Sequence, residues 1–596
     1  MGITPGKPMP TSTESVGKAV SIPIDRTAEV QGYLDQISVG AATSIPPGEY
    51  YLSIQVRLVR APDNAIVDFR GCVFKRMPGA VFPFNIMLFL GIGFEPSFIP
   101  PFQNSFGTSV PTSTGLTTFI PNAFNTSVTR GQTVIFFDTT GSNLGIGSYI
   151  ILRSKNPALS YPNTGIISNK PGHELTRISN INSNSITLDA PIRITQNIEI
   201  HKFLDQSDIG RFKNVTIRGG TFIAYDGFSY LTNIKVIYGT LLDGLTLEDI
   251  SVIGFAKGEG VSLTMSRYIN IKRLNCGLAA GDVTSYGILL NSCGISTIQD
   301  YVYSQGRTAI VFDGGCTDIS VTNAKSPLAQ APGVGAPHNY DLGHGMRNQY
   351  LSLSNTVGGR LSYGNPSWPG GENFGSVNNC TFSELISVYG PAENLTVTGH
   401  HPDYNYTASA IFFGSNYSPN IGSTYVTGPI NFTNCIFSIS TAVDQANTEG
   451  RLIKLGSTWG ASIIVAELPR ICNINNCTIS GTSGTGPGIF STPANHGIAN
   501  STTIFNMGTC IVSFPNATGP IFIFGENSKK TNLALNNCNF SVINSSKLIS
   551  IGTGCTDITI EVNNTYFNNV LITPENENDW ITDYSDGGKS FYNPPD

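Results

Sequence analysis

The 596-residue sequence predicts an all-β fold, a parallel β-helix in which short strands stack coil upon coil. Composition is the first observation behind this. The chain is rich in Gly, Asn, Ser, Thr, Ile and Val and poor in Lys and Glu. β-branched residues fit a pleated surface, and Asn and Gly fit tight turns. The second observation is a unit that recurs from about residue 204, as in "FKNVTIRGGTFIAYD", "LDGLTLEDISVIGFA", "SRYINIKRLNCGLAA" and "CTDISVTNAKSPL". Taking Val215, Leu245, Ile269, Ile295, Ile319 and Leu351 as equivalent positions gives steps of 30, 24, 26, 24 and 32 residues. A shortest step near one coil length, lengthened where loops are inserted, is the mark of a solenoid. The third is a ladder: "NNCTF", "TNCIF", "NNCTI" and "NNCNF" place Cys380, Cys435, Cys477 and Cys538 alike. Identical residues at one point of successive coils stack in the core, and their Asn neighbours can hydrogen-bond along the turn.

The elements follow in order. Residues 1–18 are polar and rich in Pro, Gly, Ser and Thr, and read as an arm. Residues 19–100 hold a short helix and the first coils. In "DRTAEVQGYLDQI", Val30, Leu34 and Ile37 recur at helical spacing, with Asp25 as candidate N-cap. A helix here is expected to plug the open end of the solenoid, because an uncapped end exposes apolar surface and unpaired backbone. Residues 101–203 break the pattern; "RGQTVIFFDTTGSNLGIGSYIILRS" and "HELTRISNINSNSITLDAPI" read as antiparallel hairpins, a small β-rich insertion. Residues 204–570 form the main solenoid. Residues 571–596, acidic and aromatic, read as a cap or subunit contact involving Trp580, Phe591 and Tyr592.

Bulk properties exclude several classes. A formal charge of −6 leaves no basic footprint for nucleic acid. No apolar run reaches the ~18 residues of a membrane span. The opening "MGITPGKPMPTSTESVGKAV" has no apolar core of a secretory signal. The eleven cysteines lack metal-ligand spacing and read as buried, reduced thiols. Neither a cofactor nor a metal is expected.

The helix with "IPPGEYYLS", the hairpin insertion and the run from "GRTAIVFDGGCTDISVTN" to "DLGHGMRNQYLSLSNTVGGRLSYGNPSWPGGENFGSVNNCTF" resemble the pectate-lyase-like, right-handed parallel β-helix of phage tailspikes. The resemblance spans roughly residues 20–570. It implies a homotrimer on the virion tail, joined to other tail proteins, that binds and often cleaves bacterial surface polysaccharide such as capsule or lipopolysaccharide O-chain. The chain departs from many such proteins in having only the short arm where they carry a large attachment domain. "GHG" at 343–345 also occurs in polygalacturonase-type glycosidases, but the paired "DD" and the "RIK" of those enzymes are missing from the sequence.

The richest stretch for chemistry is "NYDLGHGMRN", residues 339–348, at the end of an insertion between two coils. Asp341 and His344 are candidate catalytic residues, joined by Arg307 and Asp313 from "GRTAIVFDGG" and by Glu372 from "PGGENFG". Tyr340, Arg347, Tyr363 and Trp368 are candidate substrate contacts, since aromatic faces stack on the C–H faces of sugars. Hydrolysis needs two carboxyl groups, ~5–5.5 Å apart for retention or ~6.5–9.5 Å for inversion. Asp341 with Glu372 or Asp313 would suit it. β-Elimination on a uronic acid needs a base and a cation, which His344 with Arg307 or Arg347 would supply. Hydrolysis is favoured because the loops offer more than one carboxylate. The competing readings are that Asp341 and His344 only cap turns, and that the protein is a glycan-binding adhesin without catalysis.

Overall fold

In the computed structural model the residues described are 23–82, 85–91, 117–123, 126–154, 173–193, 196–203, 212–226, 234–255, 258–277, 285–304, 306, 308–313, 315–326, 340–342, 349–362, 376–386, 391–393, 396–397, 411–413, 430–439, 453–455, 471–481, 490–492, 503–515, 519–542, 544–545, 547–585 and 589–591. They build a parallel β-helix. One coil runs through Tyr286–Asn291, Gly294–Gln299 and Val302–Tyr303, and the next repeats it through Thr308–Asp313 and Thr317–Thr322. Each strand pairs in parallel with its equivalent one coil on: Ile288 faces Ile310, and Ile298 faces Val321. One face is a continuous parallel sheet of 15 strands. At roughly 4.8 Å per strand the rod is on the order of 70 Å long.

Alternation along each strand sends one set of residues inward. In Thr317–Thr322 the odd positions are buried and the even ones half-buried. The inward residues of every coil join one core that runs from Val30 to Ile581. Stacked coils bring inward side chains of neighbouring coils together, as in the stacked rings of Phe74 and Phe222, 4.8 Å apart.

Both ladders of the sequence are present. Cys435, Cys477, Cys510 and Cys538 lie one residue before register-paired strand positions, and Thr565 continues the column. Cys510, from "MGTC", completes a series that the "NNC" signature alone misses. All eleven cysteines are buried free thiols. Burial pushes the thiols of Cys293 and Cys380 up to about 11 and that of Cys276 to about 12, so they fill space and remain protonated. Next to the column run asparagines in the left-handed conformation. Asn379 donates to Asn355 at 2.6 Å, Asn476 to Asn434 at 2.6 Å, and Asn564 to Asn537 at 2.9 Å.

One equivalence in the sequence reading needs correction. Ile295 is not the inward partner of Ile269 and Ile319; Ser296 is, pairing with Ile319. A buried serine can take that place because its hydroxyl donates to the Gly294 carbonyl at 2.9 Å and accepts from the Ile269 N–H at 3.2 Å. Ile295 instead occupies a left-handed turn with φ 51°.

The helix Thr27–Ser38 buries Val30, Leu34 and Ile37 and packs on the strands Gly48–Leu52 and Val56–Leu58. Asp25 accepts the Thr27 N–H at 2.9 Å at its start. Between residues 117 and 203 lies an antiparallel sheet in which His173–Asn182 pairs with Tyr149–Ser154 and Ser185–Leu188. It has its own apolar core, and a second small cluster joins it to the solenoid: Tyr149, Ile151, Leu175 and Phe203 against Leu241 and Met265. Charges close the same seam. Arg267, 2% exposed, reaches Asp189 at 2.6 and 2.7 Å and Asp243 at 2.8 and 2.9 Å, while the Tyr149 hydroxyl donates to Asp243 at 2.6 Å. Trp580 is buried with its ring 6.0 Å from that of Phe591. No helix among the described residues is long and apolar enough to cross a membrane.

Candidate functional site at a corner of the solenoid

The chain passes into the 15-stranded sheet within a few residues in this part of the solenoid, as from Tyr286–Asn291 to Gly294–Gln299. Only three residues separate Thr308–Asp313 from Thr317–Thr322. One coil on, Tyr340–Asp341 precedes the same corner and Gln349–Ser354 follows it. Of the stretch singled out by sequence, Tyr340, Asp341 and Leu342 are described, and residues 339 and 343–348 lie outside the described residues. Tyr340 pairs with Ile310 and Asp341 with Val311.

Tyr340 is a core residue, which corrects its expected role as a sugar contact. It is fully buried, its hydroxyl donates to the Val357 carbonyl at 3.1 Å, and its ring meets Phe382 edge-on at 5.6 Å. An aromatic at an inward strand position has no route to a ligand outside. Asp341 alternates to the outer side of the strand and is 7% exposed. Asp313 falls on the row of Asn291, two residues beyond Val311. Arg307, His344, Arg347, Tyr363, Trp368 and Glu372 lie outside the described residues, as does Tyr592 of the expected C-terminal contact.

Beyond the corner, the outer face of the 15-stranded sheet carries a groove of about 500 Å³. Two columns line it. Asn270, Thr297, Ser320 and Ser352 are in register on four successive coils and present amide and hydroxyl groups. Thr297 donates to Asn270 at 2.7 Å along this column. The second column is Tyr268, Ile295, Asp318 and Tyr350, at the turn where each coil enters the sheet. All four are left-handed, with φ between 51° and 56°.

Arginines hold both tyrosines. The buried Arg267 guanidinium lies 5.1 Å from the Tyr268 ring centre, and that of Arg130, from the insertion, lies 3.3 Å from the Tyr350 ring centre. Arg130 also clasps Asp318 at 2.5 and 3.1 Å and donates to the Arg193 carbonyl at 2.5 Å. The insertion thus braces two residues of the groove, Asp318 and Tyr350, from behind the lining. Among the described residues no three His, Cys, Asp or Glu side chains group as metal ligands would.

Sequence reasoning missed Tyr268, Tyr350, Asp318 and Arg130. A signal for the column existed: the equivalent turn positions of earlier coils are Asn64, Asn214 and Gly244, residues that tolerate the left-handed region. From Tyr268 onward, Tyr, Ile and Asp take these places instead.

No protein-family model matches the chain, and no curated protein matches it in sequence. Among solved structures it is similar to phage tailspikes. The tailspike protein gp49 of Pseudomonas phage LKA1 shares 13% identity at a TM-score of 0.43, over 90% of this chain and 74% of that one. The tailspike gp61 of Pseudomonas phage phi297 shares 12% at 0.41, over 92% and 76%. The tailspike Gp54 of Acinetobacter baumannii bacteriophage AP22, solved in complex with A. baumannii capsular saccharide, shares 10% at 0.38, over 95% and 77%.

Proposed function

We propose that this protein is a phage tailspike that binds bacterial surface polysaccharide, capsule or lipopolysaccharide O-chain, and depolymerises it by glycoside hydrolysis. The observation that carries the reading is two carboxylate-bearing positions on neighbouring strands at one corner. Asp341 pairs with Val311, and Asp313 is two residues further along that strand. With strands about 4.8 Å apart and a rise of about 3.3 Å per residue, the two Cα positions are roughly 8 Å apart. A glycosidase pair needs carboxyl groups ~5–5.5 Å or ~6.5–9.5 Å apart, and this backbone separation is of that order.

In this reading one carboxyl group protonates the departing glycosidic oxygen and the other, ionised, acts as nucleophile or activates water. Asp341 is one of the pair and Asp313 the other, with Glu372 the alternative partner. Arg307, His344 and Arg347 steady charge on the substrate, and Tyr363 and Trp368 are sugar platforms. The protein works as a homotrimer on the virion tail with other tail proteins, outside the host cell. A non-catalytic adhesin is the second reading, and the low exposure of Asp341 favours it.

The test is to incubate the purified full-length protein with bacterial capsule and O-chain preparations. Reducing ends and the ultraviolet absorbance of unsaturated sugars are followed together in wild type, Asp341→Asn, Asp313→Asn and His344→Ala. New reducing ends without absorbance, lost in both aspartate variants, support hydrolysis at this corner. A rise in absorbance lost in His344→Ala replaces it with elimination. Binding without either signal leaves an adhesin.

A further inference from the structure

The groove on the 15-stranded sheet is a different surface from the strand that carries Asp341, and the function proposed above assigns it no role. We infer that it is a saccharide-holding site, in which Tyr268 and Tyr350 are stacking platforms for a glycan chain laid parallel to the solenoid axis. That the ligand is a saccharide rests on the proposed function; that this surface is built to hold a ligand rests on its own geometry.

The geometry has three parts. The groove is amphipathic across its width: one side is the polar column through Thr297 and Ser320, the other has tyrosines at its two ends. A sugar ring has the same division, with hydroxyl groups at its edge and C–H groups on its face. The tyrosines stand three coils apart, about 14 Å at the coil spacing. One coil step is close to the length of one sugar unit, so the polar groups repeat in phase with a chain that runs along the axis.

The second part is rigidity. Each tyrosine ring has a guanidinium against it, Arg267 at Tyr268 and Arg130 at Tyr350, and both guanidinium groups are fixed by aspartates. Rings held in place before binding lose little freedom on binding, and the affinity benefits by that amount.

The third part is strain. A non-glycine residue in the left-handed region costs roughly 1–2 kcal/mol. Leu241 and Met265 take the same conformation and pack against the insertion, and Arg273 takes it and pairs with Glu248 and Asp249. Tyr268 and Tyr350 take it with an arginine against each ring and with their side chains lining the groove, so the conformation is what brings the rings to that surface.

The experiment measures binding of full-length protein to a panel of bacterial capsular and O-chain polysaccharides, in an Asp341→Asn background so that polymer survives. Tyr268→Ala and Tyr350→Ala are expected to weaken binding roughly tenfold each, about what one lost aromatic contact is worth. Tyr268→Phe and Tyr350→Phe are expected to retain it. Alanine is no harder than tyrosine to keep left-handed, and Ser320→Trp, which fills the groove from the polar side, is an independent block. Wild-type affinity in the alanine and tryptophan variants overturns the inference even if cleavage at the corner is established. Binding lost in these variants from a protein that cleaves nothing upholds the groove and refutes the hydrolase. A protein that binds no polysaccharide in the panel refutes both.

Discussion

Nη1 of Arg193 stands where a side chain at residue 294 would begin: a Cβ on Gly294 would lie 1.2 Å from it. Arg193 comes from the insertion and Gly294 from the 15-stranded sheet, so this glycine is a socket in which one part of the molecule seats on the other. The seat is imperfect. Arg193 is 4% exposed, meets Glu174 through Nε at 3.4 Å, and has no hydrogen-bond partner for Nη1 or Nη2 among the described residues. Gly294→Ala is expected to push the arginine out and to cost about 1–3 kcal/mol, as overpacking does. Arg193→Ala removes the clash, so the double variant should recover most of that loss. Thermal unfolding of the two single variants and the double variant gives the coupling; additive effects would contradict the socket.

The asparagine ladder makes a prediction about order. Asn476 is left-handed, φ 52°, and donates to Asn434 at 2.6 Å. Asn476→Gly loses a hydrogen bond, worth about 1 kcal/mol, and keeps an easy backbone. Asn476→Ala loses the bond and adds roughly 1–2 kcal/mol of backbone cost. Stability should therefore fall in the order Asn, Gly, Ala, which unfolding midpoints of the three proteins would check.

Acid should loosen the insertion first. Burial opposes ionisation of Glu199, but hydrogen bonds from His201 and Arg153 outweigh it and hold the carboxyl below its usual range. The Arg153 contact is 2.7 Å and both side chains are buried. A carboxylate depressed in the folded state adds stability above its unfolded value, near 4.3, and loses it as pH falls through the lower folded value. Glu199→Gln should be less stable than wild type at neutral pH, and the gap should close below about pH 4. Tm against pH for the two proteins, with proteolysis to report on the insertion, tests this.

What could be read from the sequence followed from repetition. Strand periodicity, Asn turns and the cysteine ladder recur coil after coil, so each weak local signal is multiplied, and the solenoid emerges. Register was less secure, because a buried serine that bonds to backbone looks polar in a string of letters; that is how Ile295 was set in the place of Ser296. The groove was hidden for a different reason. Asn270, Thr297, Ser320 and Ser352 are 23 to 32 residues apart in sequence and meet only through register. Arg130 reaches Asp318 across 188 residues, a pairing no local pattern carries. Asp341 drew attention because scarce charges stand out among glycines, and the same reasoning misjudged Tyr340, whose partner is the core.

Tyr340 gives the sharpest contrast between a structural and a binding role. Its hydroxyl donates to the Val357 carbonyl at 3.1 Å, and the same carbonyl also accepts the Ser326 N–H at 2.9 Å. Removing the hydroxyl therefore leaves that acceptor satisfied, and the loss falls on the contact with the Ser326 side chain. Tyr340→Phe should cost no more than about 1 kcal/mol, the net value of one hydrogen bond, and should leave glycan binding at the wild-type level. Tyr340→Ala empties a core position against Phe382 and should cost roughly 3–5 kcal/mol, as deletion of a buried ring does. Asp341 occupies the next position on that strand, so the cavity should disturb it, and any activity at the corner should fall in Tyr340→Ala while surviving in Tyr340→Phe. Thermal unfolding and polysaccharide binding of both variants decide the matter: weaker binding in a fully stable Tyr340→Phe protein would return this tyrosine to the ligand.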